Sequence, residues 1–509
     1  MLKFLRWLVI ALAVVVVLAV AAAYYLLQDP NRFKPQIEAT IEEQTGARVD
    51  LGDDLSWVIF PPLALSASDI TADYEGSHYQ LDRLRLKLDL MSVLRNRSID
   101  EWEVEALTVN GLQVDQEGSR TRVEYLELRN FRPAVPSPFK ARLVQQPAEG
   151  PELPLSLDGL VAFDPNTNKA SVKDTRFETT DASGVCNLMA TYKPGAQPPD
   201  PDDAIIPVSI WRSVDWSGDC LLDRLTLENE DFRNVAVTLA NTGARSTTEV
   251  QIPEFFQGSA AATVDIDASA TPVRWRVKPD LARADSTEVM AWLNQRLKWI
   301  APLAYSGEIT MTGNTEEELI HSVKGKTVFD GGQGRIDISQ IKQPLLKLAS
   351  LVKDADRIAA WPDLWSYQRL VGDWKIDGTH HELDFALDNL AATIKGTYDP
   401  LADALDANVQ FLFENNPDIS GFDVNPLLLG LPIPVTCKGS LEAPKCGVTR
   451  EGTKELVAAV LTSEQGRDLR QELDRKIDEE VPEEYRDAAR GLLDMLGDSL
   501  KKPQNQKTN

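Results

Sequence analysis

The chain has 509 residues, 43% of them hydrophobic, with Asp+Glu 78 against Lys+Arg 53 and a net charge of −25. That length exceeds one ordinary domain and supplies enough apolar material for a core. The acidity excludes nucleic acid as a partner, because phosphates call for Lys and Arg, and it argues against electrostatic docking on anionic lipid headgroups.

From Trp7 to Leu27, "WLVIALAVVVVLAVAAAYYLL" carries no charged residue. As a helix these residues would measure about 31 Å, enough to cross a bilayer core. Lys3, Arg6 and the terminal amine precede the segment, and Asp29, Arg32 and Lys34 follow it. This charge bias weakly favours an N-terminus left in the cytoplasm. A cleaved signal peptide is the rival reading, with Ala21-Ala22-Ala23 as the cleavage site. The apolar run continues to Leu27, longer than a usual signal core, so an uncleaved anchor is expected. On either reading the rest of the chain is exported.

Beyond the anchor, Phe33, Ile37 and Ile41 recur every fourth residue and predict a helix over 34–45, stopped by Gly46. From about residue 47 the hydrophobic period changes to two, the signature of strands with one apolar and one wet face. In "LDRLRLKLDL" (81–90), Leu84, Leu86, Leu88 and Leu90 alternate with Arg85, Lys87 and Asp89. Trp102 and Val104 begin a further strand whose phase shifts to Leu107 and Val109, which predicts a bulge between them. Later pairs are Leu225 with Leu227, Ile336 with Ile338, Leu383 with Phe385 and Leu387, and Val409 with Phe411. The Pro-rich stretches "RPAVPSPF" and "KPGAQPPDPDD" read as exposed loops. Helical patterns are predicted at 286–300, at 339–359 and from 452 to the end. There Leu469, Leu473 and Ile477 form one stripe and Leu492, Leu493, Leu496 and Leu500 another.

The four cysteines, Cys186, Cys220, Cys437 and Cys446, are an even number in an exported chain and suggest disulfides. Three pairings are open, and pairing of neighbours is the simplest. A metal site is disfavoured: the spacing is not Cys-x-x-Cys, and the four histidines lie far off in sequence. No metalloprotease or phosphate-loop motif is present. "DGGQGRID" (330–337) leads into a strand and reads as a turn, whereas dinucleotide binding requires a helix N-terminus there. "GDSL" (497–500) has no histidine after Ser499 to serve as its base. His380 and His381 are adjacent, would point to opposite faces of a strand, and are expected at the surface or in a turn. The expectation is therefore no enzyme, no cofactor and no metal.

Alternating strands serve equally in a closed sandwich, where the apolar face meets a second sheet, and in an open trough, where it meets apolar guests. Lipid acyl chains would suit such a trough. Moving a phospholipid through water exposes two chains at about 0.8 kcal/mol per CH₂, roughly 20 kcal/mol or more in all.

Several stretches resemble the bacterial AsmA-like family. They are "KPQIEATIEEQTGARVDLGDDLSWVIFPPLALSASDITA" after the membrane segment, then "LDRLRLKLDLMSVLRNRSIDEWEVEALTVNG", "YSGEITMTGNTEEELIHSVKGKTVFDGGQGRIDI", "YQRLVGDWKIDGTHHELDFALDNLAATIKGTYDP" and "LPIPVTCKGSLEAPKC". The likeness covers about 1–115 and 285–450, while 116–284 shares only the strand pattern. It implies a mainly β fold with flanking helices. A transmembrane helix (1–28) would be followed by an elongated, curved antiparallel sheet with an apolar groove, starting over 29–130, continuing over 131–284 and ending over 285–450. Acidic amphipathic helices and a tail (451–509) would close the chain.

The resemblance also implies a single-pass protein of the inner membrane of a Gram-negative bacterium, its bulk in the periplasm. Such a protein would pass phospholipids toward the outer membrane without chemistry. The groove-lining candidates are Leu84, Leu86, Leu88, Leu90, Val104, Val109, Leu225, Leu227, Ile336, Ile338, Leu383, Phe385, Leu387, Val409 and Phe411. The expected partners are membrane lipids, the inner membrane through the N-terminal helix, and an outer-membrane or periplasmic protein at the C-terminal end. The alternative function is a structural or assembly factor for outer-membrane protein biogenesis.

Overall fold

A computed structural model describes residues 34–448, apart from 53–54, 59–62, 75–76, 96–102, 117–118, 147–149, 194, 196–199, 202, 350–354, 416–420 and 442. It also describes 467–480, 482, 485–486 and 490–491. The expected membrane span (7–27), Trp102 and the Leu492–Leu500 stripe lie outside these residues. Among the described residues no helix is long and apolar enough to cross a membrane. The described chain is mainly β and divides into two compact units. The first takes the described residues up to 195 and Ser213–Ala240. The second takes those from 200 to Arg212 and from Asn241 onward.

The first unit opens with the predicted helix, α1 (Lys34–Thr45), and Gly46 leaves it at φ 75°. Strands β1 (Arg48–Asp50) and β2 (Ser56–Val58) both pair with β3 (Leu63–Tyr74). Then come β4 (Ser77–Leu88), β5 (Val104–Gln116), β6 (Ser119–Phe131), β7 (Ser137–Gln146), β8 (Leu153–Asp164), β9 (Lys169–Thr179), β10 (Ala182–Tyr192) and β11 (Val214–Leu227). Each runs antiparallel to the one before it. Strands β12 (Glu230–Phe232) and β13 (Val235–Thr242) both pair with β11. Glu228 and Asn229, both at positive φ, make the two-residue turn into β12, the backbone geometry that suits a tight hairpin.

Two local features shape this sheet. Between β4 and β5 lies α2 (Leu90–Arg95). The Asp89 carboxylate accepts hydrogen bonds from the amides of Met91 (2.6 Å) and Ser92 (3.2 Å), which ends the strand at Leu88 and starts the helix. Leu90, expected on the strand face, therefore belongs to α2. The predicted bulge is present: Lys87 pairs with Ala106 but Leu88 with Val104, so Glu105 is the extra residue.

In the second unit the main antiparallel series starts with β14 (Arg245–Phe255), β15 (Gly258–Asp267) and β16 (Arg274–Asp285). Strand β17 (Trp299–Ile300) stands apart, and β18 (Pro302–Thr312) and β19 (Lys324–Asp330) resume the series. Strands β20 (Gly334–Asp337) and β21 (Leu364–Tyr367) join β17 in a separate three-stranded sheet. The main series ends with β22 (Leu370–Asp377), β23 (His380–Leu387), β24 (Leu390–Asp399), β25 (Ala404–Phe413), β26 (Pro432–Gly439) and β27 (Lys445–Gly447). Its helices are short: α3 (Val208–Ser213), α4 (Ser286–Trp292), α5 (Glu316–Ser322), α6 (Ser339–Ala349), α7 (Ala355–Ala359) and α8 (Arg467–Glu480).

Two expectations change here. The helix predicted over 286–300 ends at Trp292. Leu293 caps it, Asn294 turns at φ 55°, and 293–298 is a loop into β17. Asn reaches that left-handed conformation more readily than most residues, so the hydrophobic period runs on past the end of the helix. Within 339–359 the described residues form α6 and α7, as the helical pattern predicts, and 350–354 lie outside the described residues. Ile336 sits on β20, and Ile338 follows it into the core beside α6, so both leave the main series.

Candidate functional site: the apolar sheet face

Antiparallel register sets residues of successive strands side by side, so one apolar position per strand becomes a row across the sheet. In the first unit one row reads Ala67, Leu84, Val109, Leu126, Ala141, Leu157, Phe177, Gly184 and Leu222, from β3 to β11. A second row reads Leu65, Leu86, Leu107, Leu128, Phe139 and Gly159. A third joins Leu63, Leu88, Val104 and Phe131 through the bulge. The candidates Leu84, Leu86, Leu88, Val104 and Val109 thus share one face. Sequence reading missed their neighbours Leu65, Leu126, Leu128, Leu157 and Phe177, although each stands in its own alternating run.

Val109 is buried, whereas Leu84, Leu86, Leu88, Leu107, Leu126, Leu128, Leu157 and Phe177 are half-buried. Among the described residues this unit has, apart from its single series of strands, only α1, α2 and part of α3, and no second sheet. The opposite face is ionic. The Arg129 guanidinium sits 2.5 Å from Glu127, and with the Tyr125 hydroxyl it holds that carboxyl below the usual range. Lys140 pairs with Asp158 at 2.8 Å. Exposed pairs like these contribute little stability; their use is to keep that face wet.

Beside the rows, Asp69, Asp82 and Gly111 occupy successive positions across β3, β4 and β5. Asp69 (φ 57°) and Gly111 (φ 68°) are in the left-handed region. A Cβ on Gly111 would lie 1.9 Å from an Asp82 carboxylate oxygen, so glycine is required there. Beyond this kink the apolar phase moves by one: Ile70, Leu81, Leu112, Val123, Leu143 and Leu155 form the next row.

Leu225 faces Ala182 of β10 and Phe232 of β12, past a second register shift, while Leu227 pairs with Glu230 and is exposed. The cysteines adopt the neighbour pairing. Cys186–Cys220 ties β10 to β11 and Cys437–Cys446 ties β26 to β27, each at directly opposed positions.

In the second unit the rows end differently. Leu383 aligns with Trp374, Ile394, Val409 and Val435, and Phe385 with Gly372, Ala392, Phe411 and Ile433. Leu387 aligns with Leu370, Leu390 and Phe413. Val409, Phe411 and Leu387 are buried, and Leu383 and Phe385 half-buried. Over Phe413 lies Trp361 (ring centroids 6.1 Å apart), which also meets Phe422 at 4.8 Å. Trp365 stacks on Phe422 at 4.1 Å. Asn389 fixes the covering segment: its amide donates to the Phe422 carbonyl and its carbonyl accepts the Phe422 N–H. Trp361 donates to the Asp423 carbonyl and Trp365 to the Asp388 carboxylate.

His380 and His381 stand on β23, not in a turn. His381 lies on the apolar side between Trp374 (5.7 Å) and Tyr398 (6.3 Å), and its Nδ1 has no hydrogen-bond partner. Burial holds its pKa below the ordinary histidine value, against a bond to the Tyr398 backbone. Among the described residues no group of three or more His, Cys, Asp or Glu could hold a metal ion.

Fold and face together define a class: a strand-rich scaffold whose antiparallel strands present aligned hydrocarbon on one side and ions on the other. A sequence model of the AsmA family matches residues 1–182, a stretch whose described part runs from α1 to the first residue of β10, and supports an AsmA-like family assignment. No curated protein and no solved structure matches the chain.

Proposed function

We propose that the protein moves phospholipid between the inner and outer membranes by holding acyl chains against the apolar face of its sheet, without chemistry. The observation that carries this reading is the set of half-buried leucines in the first unit, aligned row by row from β3 to β8 and continued by Phe177 of β9. A face of Leu, Val and Phe removes most of the roughly 20 kcal/mol that two acyl chains cost in water. The likeness to the AsmA family supports the membrane setting, with an anchor at 7–27 and the sheet in the periplasm.

The test is phospholipid recovered with the full chain after mild detergent extraction. The double variant Leu86→Asp/Leu128→Asp sets carboxylates two strands apart on one row. It should lose most of the recovered lipid while melting close to wild type, because both positions are half-open to water. Wild-type protein that carries no lipid would end the proposal.

A further inference from the structure

The end of α4 leaves an unusual surface. Leu293 is 50% exposed, Leu297 45% and Ile300 37%, all within eight residues. Arg296 and Lys298 stand among them, both exposed, and Arg335 of β20 lies directly opposite Ile300 and is also exposed. Among the described residues none of these three cations makes an ion pair or a side-chain hydrogen bond. The stretch 289–307 contains no Asp or Glu at all, in a chain with Asp+Glu 78 in 509 residues. The nearest acids have other partners: Glu288 accepts from Gln257, and Asp337, which Lys298 approaches, is bonded first to Ser339.

The loop is held rather than loose. Gln295 donates its N–H to the Met290 carbonyl, and Trp299 is buried with its indole donating to Tyr367 at 2.7 Å. The Ser286 and Thr287 hydroxyls both bond the Trp299 carbonyl.

We infer that Leu293, Leu297 and Ile300, with Arg296, Lys298 and Arg335, form a docking site for an anionic lipid surface. Exposed aliphatic side chains beside unpaired cations fit the boundary between acyl chains and phosphate headgroups. The net charge of −25 does not oppose this. At about 0.1 M salt the Debye length is about 10 Å, so the membrane responds to the charges around this loop and not to the net charge of the chain. Each cation near such a surface strengthens binding by about fivefold, so the three together supply on the order of a hundredfold. The inference goes beyond lipid carriage, because docking requires no carried lipid.

The experiment holds the full chain in nanodiscs of neutral phosphatidylcholine and offers it separate fluorescent vesicles. These are phosphatidylcholine alone or phosphatidylcholine containing phosphatidylglycerol. Wild type should capture the anionic vesicles, less so as salt rises, and not the neutral ones. Arg296→Gln/Lys298→Gln should weaken capture by about 25-fold, fivefold for each cation. Leu297→Ser should weaken it at high and low salt alike. Arg122→Glu/Lys173→Glu, on exposed cations elsewhere, should leave it unchanged. All the substituted side chains are exposed, so unchanged melting checks the fold of each variant. Failure of wild type to capture anionic vesicles overturns the inference, as does equal loss in the control variant.

Discussion

Leu86 and Leu390 come from the same kind of strand and meet opposite fates. Each lies on an antiparallel strand in a cross-strand row of apolar side chains. Leu86 is half-buried, and the described residues of its unit place no second sheet above it, whereas Leu390 is fully buried with Leu387 and Phe413 beneath Trp361, Trp365 and Phe422. The strand pattern thus specifies only that a face is apolar. Whether that face becomes core or remains a surface depends on what the chain supplies to cover it. In the second unit the covering residues arrive from the turn after α7, from β21 and from the segment before Pro426, all outside the strands they cover.

Truncation should expose this contrast most strongly. Phe413→Ala leaves an enclosed cavity and should cost about 3–5 kcal/mol, while Leu86→Ala, with no cavity to create, should cost about 1 kcal/mol. Hydrogen exchange read separately in each unit is the suitable measurement, because a chain of two units need not unfold in one step. Equal costs would mean that the first unit's face is as well covered as the second's.

A smaller effect probes the kink that sets the phase of the first unit's rows. Gly111→Ala forces a Cβ into the left-handed region and against Asp82, and should destabilise by about 1–3 kcal/mol. Adding Asp82→Ala should recover the part due to the carboxylate, which denaturation of the double variant would register. The smallest effect belongs to His381. Its folded pKa lies below the unfolded value of 6.5, so the unfolded chain binds the proton more readily. The stability it confers is therefore complete above 6.5 and is lost as pH falls through the folded value. Denaturation midpoints from about pH 7.5 to about pH 5 should fall less steeply in His381→Phe than in wild type.

Much of the local structure was legible because it is written at short range. The 34–45 helix, the extra residue at Glu105 and the turn before Gly334 follow from spacing over a few positions. So did the shared face of Leu84, Leu86, Leu88 and Val109. What escaped depends on single side chains or on distant ones. Asp89 ends a strand that the leucine pattern would carry on to Leu90, by bonding two amides. Asn294 breaks a helix whose stripe Val289, Leu293 and Leu297 reads as continuous, and the break is what turns two core-like leucines outward. Ile336 and Ile338 alternate like the other candidates, yet they join the small sheet and its adjoining core through Trp299, Trp365 and Asp363. No periodicity marks which sheet a strand will enter.

The row from Ala67 to Leu222 crosses nine strands, β3 to β11. At about 4.8 Å per strand its eight intervals measure about 38 Å, more than the roughly 30 Å of a bilayer interior that two tails span end to end. On the reading proposed above, a tail could therefore slide from strand to strand along the row, over a distance longer than the bilayer interior it had left, while keeping apolar contact.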